Sequence, residues 1–276
     1  MGEMKEEGKE VSIAEVCRWF GVARSSFYYE PKKSEPKPPT LDQAIVELIR
    51  QVIDENPGYG IRRITAVLRY QLKIAVNRKK VRRIIRINGW QVRKKPQGKR
   101  PRAQGLRSVA AKPNERWAID ATHIFCGTDG WCHLTAIIDC CDRHIVGWRL
   151  TRSGVSKMAA ATLEDALRER SAILDCLQLT IRSDNGLVFA AKPFVAVVNR
   201  HRLMQEYITP YTPEQNGMIE RWFRSLKEEC VWLHRFKDRD HAFEVISRWI
   251  DRYHGERPHS ALGYQTPAAY AAKLAA

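Results

Sequence analysis

The chain has 276 residues, enough for a sizeable core and more than one folding unit. With no run of about eighteen apolar residues and no signal-peptide-like leader, the sequence argues against membrane insertion and secretion. Its formal charge of +16 is uneven, with 26 Lys/Arg against 12 Asp/Glu in residues 1–115 and 21 against 19 in 116–276, so the first part reads as a footprint for a polyanion rather than for a membrane.

Residues 11–29 predict a helix capped by Ser12, with Val16, Cys17 and Phe20 as its apolar face. A glycine turn at Gly21 and a second short helix from Ala23 complete a helix-turn-helix pattern led by Arg24, Ser25 and Ser26. Residues 30–40 are rich in proline and lysine and read as a linker, making 1–40 a first segment. A helical DNA-binding unit is expected at 41–90. Leu41, Ile45, Leu48, Ile49, Val52 and Ile53 recur at helical spacing, and NPGYG at 56–60 ends that helix. Ile61, Ile64, Val67 and Leu68 mark the next helix, which carries Arg62 and Arg63. Asn77 then caps a third helix with Val81, Ile84 and Ile85 inside and Gly89 as its stop. The outer face of that helix is Arg78, Lys79, Lys80, Arg82, Arg83 and Arg86. Six cations with no acid among them repel one another, so DNA is the expected partner of this face. Residues 91–115 read as a basic linker.

From Trp117 the pattern becomes strand-like. Strands at 117–125, 131–141 and 144–150 suggest a meander, followed by a helix at 156–170 and a fourth strand at 179–184. A helix after Pro193, a strand near 203–207, a helix near 216–234 and another near 240–254 complete an α/β order with a mixed sheet. Phe243, Ile246, Trp249, Ile250 and Tyr253 form the expected core face of the last helix. The seven cysteines (Cys17, Cys126, Cys132, Cys140, Cys141, Cys176, Cys230) show no CxxC and no histidine-paired spacing, so reduced thiols are expected and structural zinc is not.

Three acids stand out. Asp120 lies inside the otherwise apolar WAIDAT, where burial is costly without a partner or a metal. Asp184 ends the fourth strand, just before Asn185-Gly186. That pair is a hairpin signal in isolation, or else a sharp exit that leaves the carboxylate at a strand end. A crossover returning parallel beside the first strand would bring Asp184 to Asp120. Glu220 shares a helix face with Arg224 and Lys227, at i, i+4 and i+7. Taken alone, it reads as a surface acid paired with Arg224. Asn216-Gly217 suggests a flexible loop over 212–217 before this helix. Asp129 and Glu214 carry no expected role.

In order and spacing, Asp120, Asp184 and Glu220, with 35 residues between the last two, resemble the DDE triad of retroviral-integrase-like transposases. IIDCCDRHIVGW (137–148) and YHGERPHSALGYQTPAAY (253–270) are similar to segments of the OrfB-type transposases of bacterial insertion sequences. That family is founded on insertion sequence three, and the first segment resembles its insertion-sequence-two subgroup. His254 stands where the family carries Asn. The resemblance runs from about Val11 to Tyr270 and implies an RNase H-like catalytic core over 116–276, a mixed five-stranded sheet flanked by helices. It assigns catalysis and metal binding to Asp120, Asp184 and Glu220, and a DNA contact to Lys227. Arg62, Arg63, Arg78, Lys79, Lys80, Arg82, Arg83 and Arg224 complete the expected DNA-binding set.

The implied cofactor is a pair of Mg²⁺ ions about 3.5–4 Å apart, with Mn²⁺ able to substitute; Asp120 bridges both, and Asp184 and Glu220 each complete one site. The implied reaction is strand cleavage at an element end, then transfer of its 3′-hydroxyl to a second phosphodiester. Implied partners are the terminal inverted repeats, target DNA and an OrfA or OrfAB protein, with homo-oligomers on DNA in the bacterial cytoplasm, at the nucleoid. The chain lacks a long heptad-rich leader and so resembles the OrfB portion alone. A nuclease that does not join strands and a catalytically inactive DNA-binding regulator are the competing readings.

Overall fold

The structure, a computed structural model, describes residues 11–30, 41–92, 110–170, 179–209 and 212–275; both expected linkers fall largely outside these residues, as does Cys176. The chain divides into two compact units, Met1–Asp42 and Gln43–Ala276.

In the first unit, Ile13–Trp19 forms α1 and Arg24–Phe27 forms α2. Ser12 accepts from the Glu15 backbone N–H while the Glu15 carboxylate accepts from that of Ser12, a reciprocal cap that satisfies two helix-end donors. Gly21 carries the chain between the helices at φ +62°, where a side chain would be strained. Cys17 is buried as the pattern predicts, but Phe20 is 76% exposed and is not part of a core face.

The second unit begins with α3 (Gln43–Glu55) and α4 (Ile61–Ala66), the latter running on as a π-helical turn, Val67–Gln71. Asn77 then caps α5 (Arg78–Ile87) by accepting from the Lys79 N–H at 2.8 Å, and Gly89 ends it at φ +69°. Ile49, Val52, Ile64, Leu68, Val81, Ile84 and Ile85 are buried, while Arg78, Lys79, Lys80, Arg82, Arg83 and Arg86 are all exposed. The apolar seam of α5 thus sets its basic face toward solvent.

Five strands follow: β1 (Arg116–Phe125), β2 (Trp131–Asp139), β3 (Ile145–Thr151), β4 (Thr180–Ser183) and β5 (Met204–Tyr207). Their order is β3-β2-β1-β4-β5. The first three form the expected antiparallel meander, and β4 and β5 add in parallel. This is the mixed, RNase H-like sheet that the resemblance implies.

Between β3 and β5 lie α6 (Ser156–Glu169), the short α7 (Leu187–Ala190) and α8 (Lys192–Arg200), and after β5 come α9 (Gly217–Glu229), α10 (Arg239–Gly255) and α11 (Pro267–Ala275). Because side chains alternate across a strand, β1 feeds two cores. Trp117 and Ile119 pack with Leu163 of α6 and Phe194 of α8, whereas Ala118 and Ile124 pack with Ile219, Trp222 and Leu226 of α9 and Ile246 of α10. On α10, Phe243 is 47% exposed, although its ring stacks on Trp148. Neither α7 nor α11 shows in the sequence pattern.

The two signature segments of the resemblance are structural. At the β2–β3 turn, buried Asp139 accepts from the backbone N–H groups of Asn114 and Cys141 at 2.6 and 2.7 Å. Burial raises its pKa, and that of the neighbouring buried Asp142 to about 6. His254 accepts from the Ile145 N–H at 2.9 Å and stacks on His144 at 3.7 Å. Burial, then the charges of His144 and Arg170, lower its pKa to about 3, so the ring is a neutral acceptor. No helix among the described residues is long and apolar enough to cross a membrane.

Candidate active site

Asp120 sits on central β1, opposite Ala136 of β2. On its other side β1 pairs with β4 in the register Ala118↔Arg182. Carried two residues further, that register sets Asp184 level with Asp120, just past the end of β4. Asn185-Gly186 does not make a hairpin. Gly186 has φ −63° and ψ 138°, ordinary extended backbone, and the chain enters α7 at once. A Cβ at 186 would lie 2.8 Å from Asp184 Oδ1, so a larger residue here would have to displace that carboxylate. That oxygen accepts from the Gly186 N–H at 3.0 Å, and Asn185 ties the loop to the Ile208 carbonyl.

The third acid arrives on α9. Its stripe of Ile219, Trp222, Phe223 and Leu226 packs on the sheet, which leaves Glu220, Arg224 and Lys227 along the edge facing Asp120. Together with Asp120 and Thr122 they line a cavity of about 470 Å³. Lys227 Nζ donates to Thr122 Oγ1 at 2.6 Å. Thr122 is two residues beyond Asp120 on the same strand face, so strand periodicity could have identified it. Arg224 pairs with Glu228 at 3.0 Å rather than with Glu220.

The segment ahead of α9 is not the irregular loop its Asn-Gly suggests. Pro213–Asn216 form a 3₁₀ turn, and Asn216 is buried with its side-chain amide directed to the Ile119 carbonyl, at 3.5 Å. Arg182, also buried, grips both Glu206 oxygens at 3.1 and 2.7 Å and donates to the Gln215 carbonyl at 3.0 Å. These contacts fix the start of the Glu220 helix on the strand pair that carries both aspartates. Neither the Arg182 clamp nor the Asn216 anchor is visible in the sequence, because each partner is distant along the chain.

The electrostatics are those of crowded acids. Asp120 has its pKa raised from 3.8 to about 7, first by burial and then by the charges of Asp184 and Glu220. The Ala121 N–H and Lys227 act in the opposite direction. Among the described residues no three acid, histidine or cysteine side chains converge closely enough to hold a metal ion, so the three carboxylates are neighbours without being clustered.

Asp120 therefore makes the metal-free protein pH-sensitive. Between about pH 4 and pH 7 the folded chain retains a proton that the unfolded chain has lost, so this group's contribution to stability falls as the pH rises. Asp120→Asn has no proton to lose. In thermal melts without metal it is expected to melt above the wild type at pH 8 and no higher at pH 4. Equal melting at pH 8 would show that Asp120 is not desolvated.

Two residues have contacts that the sequence does not suggest. Arg63 stands apart from the exposed basic face: it is partly buried, bonds Glu229 of α9 at 2.9 Å and lies over the Tyr59 ring. Arg62 remains exposed. Asp129 is not idle, since its carboxylate accepts from the Arg239 N–H at 2.9 Å and pairs with Arg152.

Comparison with known proteins follows the same division. An integrase core domain family matches residues 110–213, a second integrase core domain family matches 201–267, and an HTH-like domain family matches 40–98. The HTH-like match falls on α3–α5 rather than on α1 and α2. Transposase InsD for insertion element IS2A/D/F/H/I/K of Escherichia coli is 29% identical over 241 residues, which cover 84% of this chain and 79% of that protein. Transposase InsD for insertion element IS2-9 of Escherichia coli (strain K12) is likewise 29% identical, over 84% of this chain and 78% of its own. Among solved structures, the simian T-cell lymphotropic virus intasome in complex with PP2A regulatory subunit B56 gamma aligns with TM-score 0.47 and 15% identity, over 81% of this chain and 74% of that one. The catalytic core domain of BIV integrase aligns with TM-score 0.44 and 16% identity, over 58% and 95%. The chain carries an integrase core and an HTH-like domain, and it resembles insertion-element transposases along most of its length.

Proposed function

We propose that this integrase-core chain is a DNA transposase that cuts a strand at an element end and joins the freed 3′-hydroxyl to target DNA. The observation that carries the reading is Asp120, a desolvated carboxylate in mid-sheet whose pKa reaches about 7 beside Asp184 and Glu220. Such a group has a use for a divalent cation, which would offset the desolvation and the neighbouring negative charges that raise it. Hard carboxylate oxygens suit Mg²⁺, with Mn²⁺ as a substitute. Asp120, Asp184 and Glu220 would hold the ions, which when bound activate the attacking oxygen and neutralise the leaving one.

The chain's own residues do the rest. Thr122 holds the Lys227 ammonium beside Asp120, where it can neutralise a phosphate oxygen. Glu228 fixes the Arg224 guanidinium at the rim of the same cavity. Arg182 and Asn216 hold the start of α9 against the sheet, so Glu220 approaches on a braced helix. No serine or tyrosine nucleophile is needed, because the attacking group is water or a DNA hydroxyl.

Arg62 and the exposed cations of α5, namely Arg78, Lys79, Lys80, Arg82 and Arg83, would bind the duplex backbone. The wider assembly, with an OrfA or OrfAB protein and further copies of the chain on terminal repeats, belongs to the same proposal. Binding should weaken steeply with salt, by about 0.9 log units per log unit of salt for each phosphate contacted. Replacing both Arg82 and Arg83 with Ala is expected to flatten that slope by up to about 1.8. Filter binding across a salt series reads it. An unchanged slope would remove α5 from the interface. Cleavage and joining of a labelled DNA end in Mg²⁺ test the chemistry itself.

A further inference from the structure

A second, larger cavity, of about 1220 Å³, runs between the helical DNA-binding unit and the catalytic helix. Its walls include six arginines (Arg62, Arg63, Arg143, Arg221, Arg224, Arg257) and a single acid, Glu228. Glu229 neutralises Arg63 and Arg257, and Glu228 pairs with Arg224. Arg62 and Arg221 are exposed and have no ion pair among the described residues. The cavity meets the Asp120 cavity along one wall, because Arg224, Glu228 and Trp232 line both. Trp232 follows α9 in a 3₁₀ turn, Val231–Leu233, and its side chain is 60% exposed.

An exposed indole at the junction of an arginine-lined cleft and a carboxylate site suits one ligand chemistry. Arginines follow a sugar-phosphate backbone, and an aromatic face takes a base that has left its stack. A base inside a duplex has both faces covered by its neighbours, so a ring that takes up a whole base favours an unpaired strand over a duplex. We propose that this cleft binds a short single-stranded DNA end, and that Trp232 stacks on an unpaired base beside the phosphate presented to Asp120 and Glu220. The inference rests on the transposase reading and adds that the end is unpaired when it reaches the acids.

The test uses the full chain in EDTA, so that no cleavage intervenes. The probes are a duplex with a five-nucleotide 3′ overhang carrying 2-aminopurine and a blunt duplex of the same paired sequence. Wild type is expected to bind the overhang more tightly and to quench its fluorescence. Trp232→Ala should lose the quenching and bind the overhang roughly 5- to 150-fold more weakly, the range for one base–aromatic stack. It should keep wild-type affinity for the blunt duplex, and Trp232→Phe should retain most of the quenching. Arg221→Gln should weaken overhang binding more than blunt binding. Equal affinity of wild type for the two probes overturns the proposal, as does a Trp232→Ala protein that still quenches. A chain that quenches through Trp232 but neither cuts nor joins DNA in Mg²⁺ upholds the cleft and refutes the transposase reading. One that cuts and joins without any Trp232 dependence refutes the cleft alone.

Discussion

Asp120→Asn, Asp184→Asn and Glu220→Gln are each expected to abolish both cleavage and strand joining while leaving DNA binding unchanged. Each substitution removes one ligand charge at nearly constant volume. Asp120 lies on the central strand and Asp184 beyond the end of its neighbour, while Glu220 comes from a helix braced by Arg182 and Asn216. A misplaced metal disturbs the attacking and the leaving oxygen together, so neither step survives. The loss should reach at least about 10³-fold, the upper range for deleting a single stabilising donor at a transition state. The cations of α5 are untouched, so binding persists. Glu214→Gln and Asp251→Asn are the controls; Asp251 is an exposed acid of α10. Asp129 is unsuitable, because it clasps Arg152 and the start of α10. If Glu214→Gln is inactive while Glu220→Gln joins strands normally, Glu214 and not Glu220 is the third ligand.

Glu229→Ala should be the most destabilising substitution of a single charged side chain in the second unit. The Glu229 side chain is 11% exposed and bonds Arg63 at 2.9 Å and Arg257 twice at 2.8 Å, with Arg257 itself 7% exposed. It joins α4, the C-terminal end of α9 and the C-terminal RPHSALGY segment. Removing it leaves the buried Arg257 and the partly buried Arg63 without their counter-charge, which costs up to about 3–5 kcal/mol. For a unit of this size that lowers Tm by roughly 6–20 °C. Arg63→Ala leaves Glu229 still bonded to Arg257 and should cost less, about 1.5–3 kcal/mol. Thermal melts of the two variants read the difference. A Glu229→Ala protein that melts with the wild type would mean the three segments are not joined through this residue.

These two sites show what the sequence discloses and what it conceals. The meander, the Asn77 cap and the apolar seam of α5 were legible because each depends on local spacing. Asp120 was legible because an acid in an apolar strand conflicts with its surroundings, and Asp184 and Glu220 followed from order and spacing. The Arg63 contact with Glu229 was hidden for the opposite reason. Next to Arg62, nothing local separates a cation facing DNA from one buried against an acid 166 residues away. Arg182 and Asn216 share that property, since their roles come from where β4 and α9 meet. Phe20 and Phe243 fit helical periodicity yet stay largely exposed, because spacing marks a face without supplying what covers it. Asn185-Gly186 imitates a hairpin, whereas its glycine leaves room for the carboxylate beside it.

The most direct test of the whole account is whether the chain joins DNA or only cuts it. A duplex ending in a candidate terminal repeat, 5′-labelled on the strand with a free 3′-hydroxyl, is incubated with supercoiled plasmid, Mg²⁺ and the chain, with and without the OrfA-containing protein that the proposal adds. The account predicts label covalently attached to plasmid, dependent on Mg²⁺ and absent with Asp120→Asn. Label that appears only in shortened fragments, or that joins the plasmid equally well with Asp120→Asn, would contradict it.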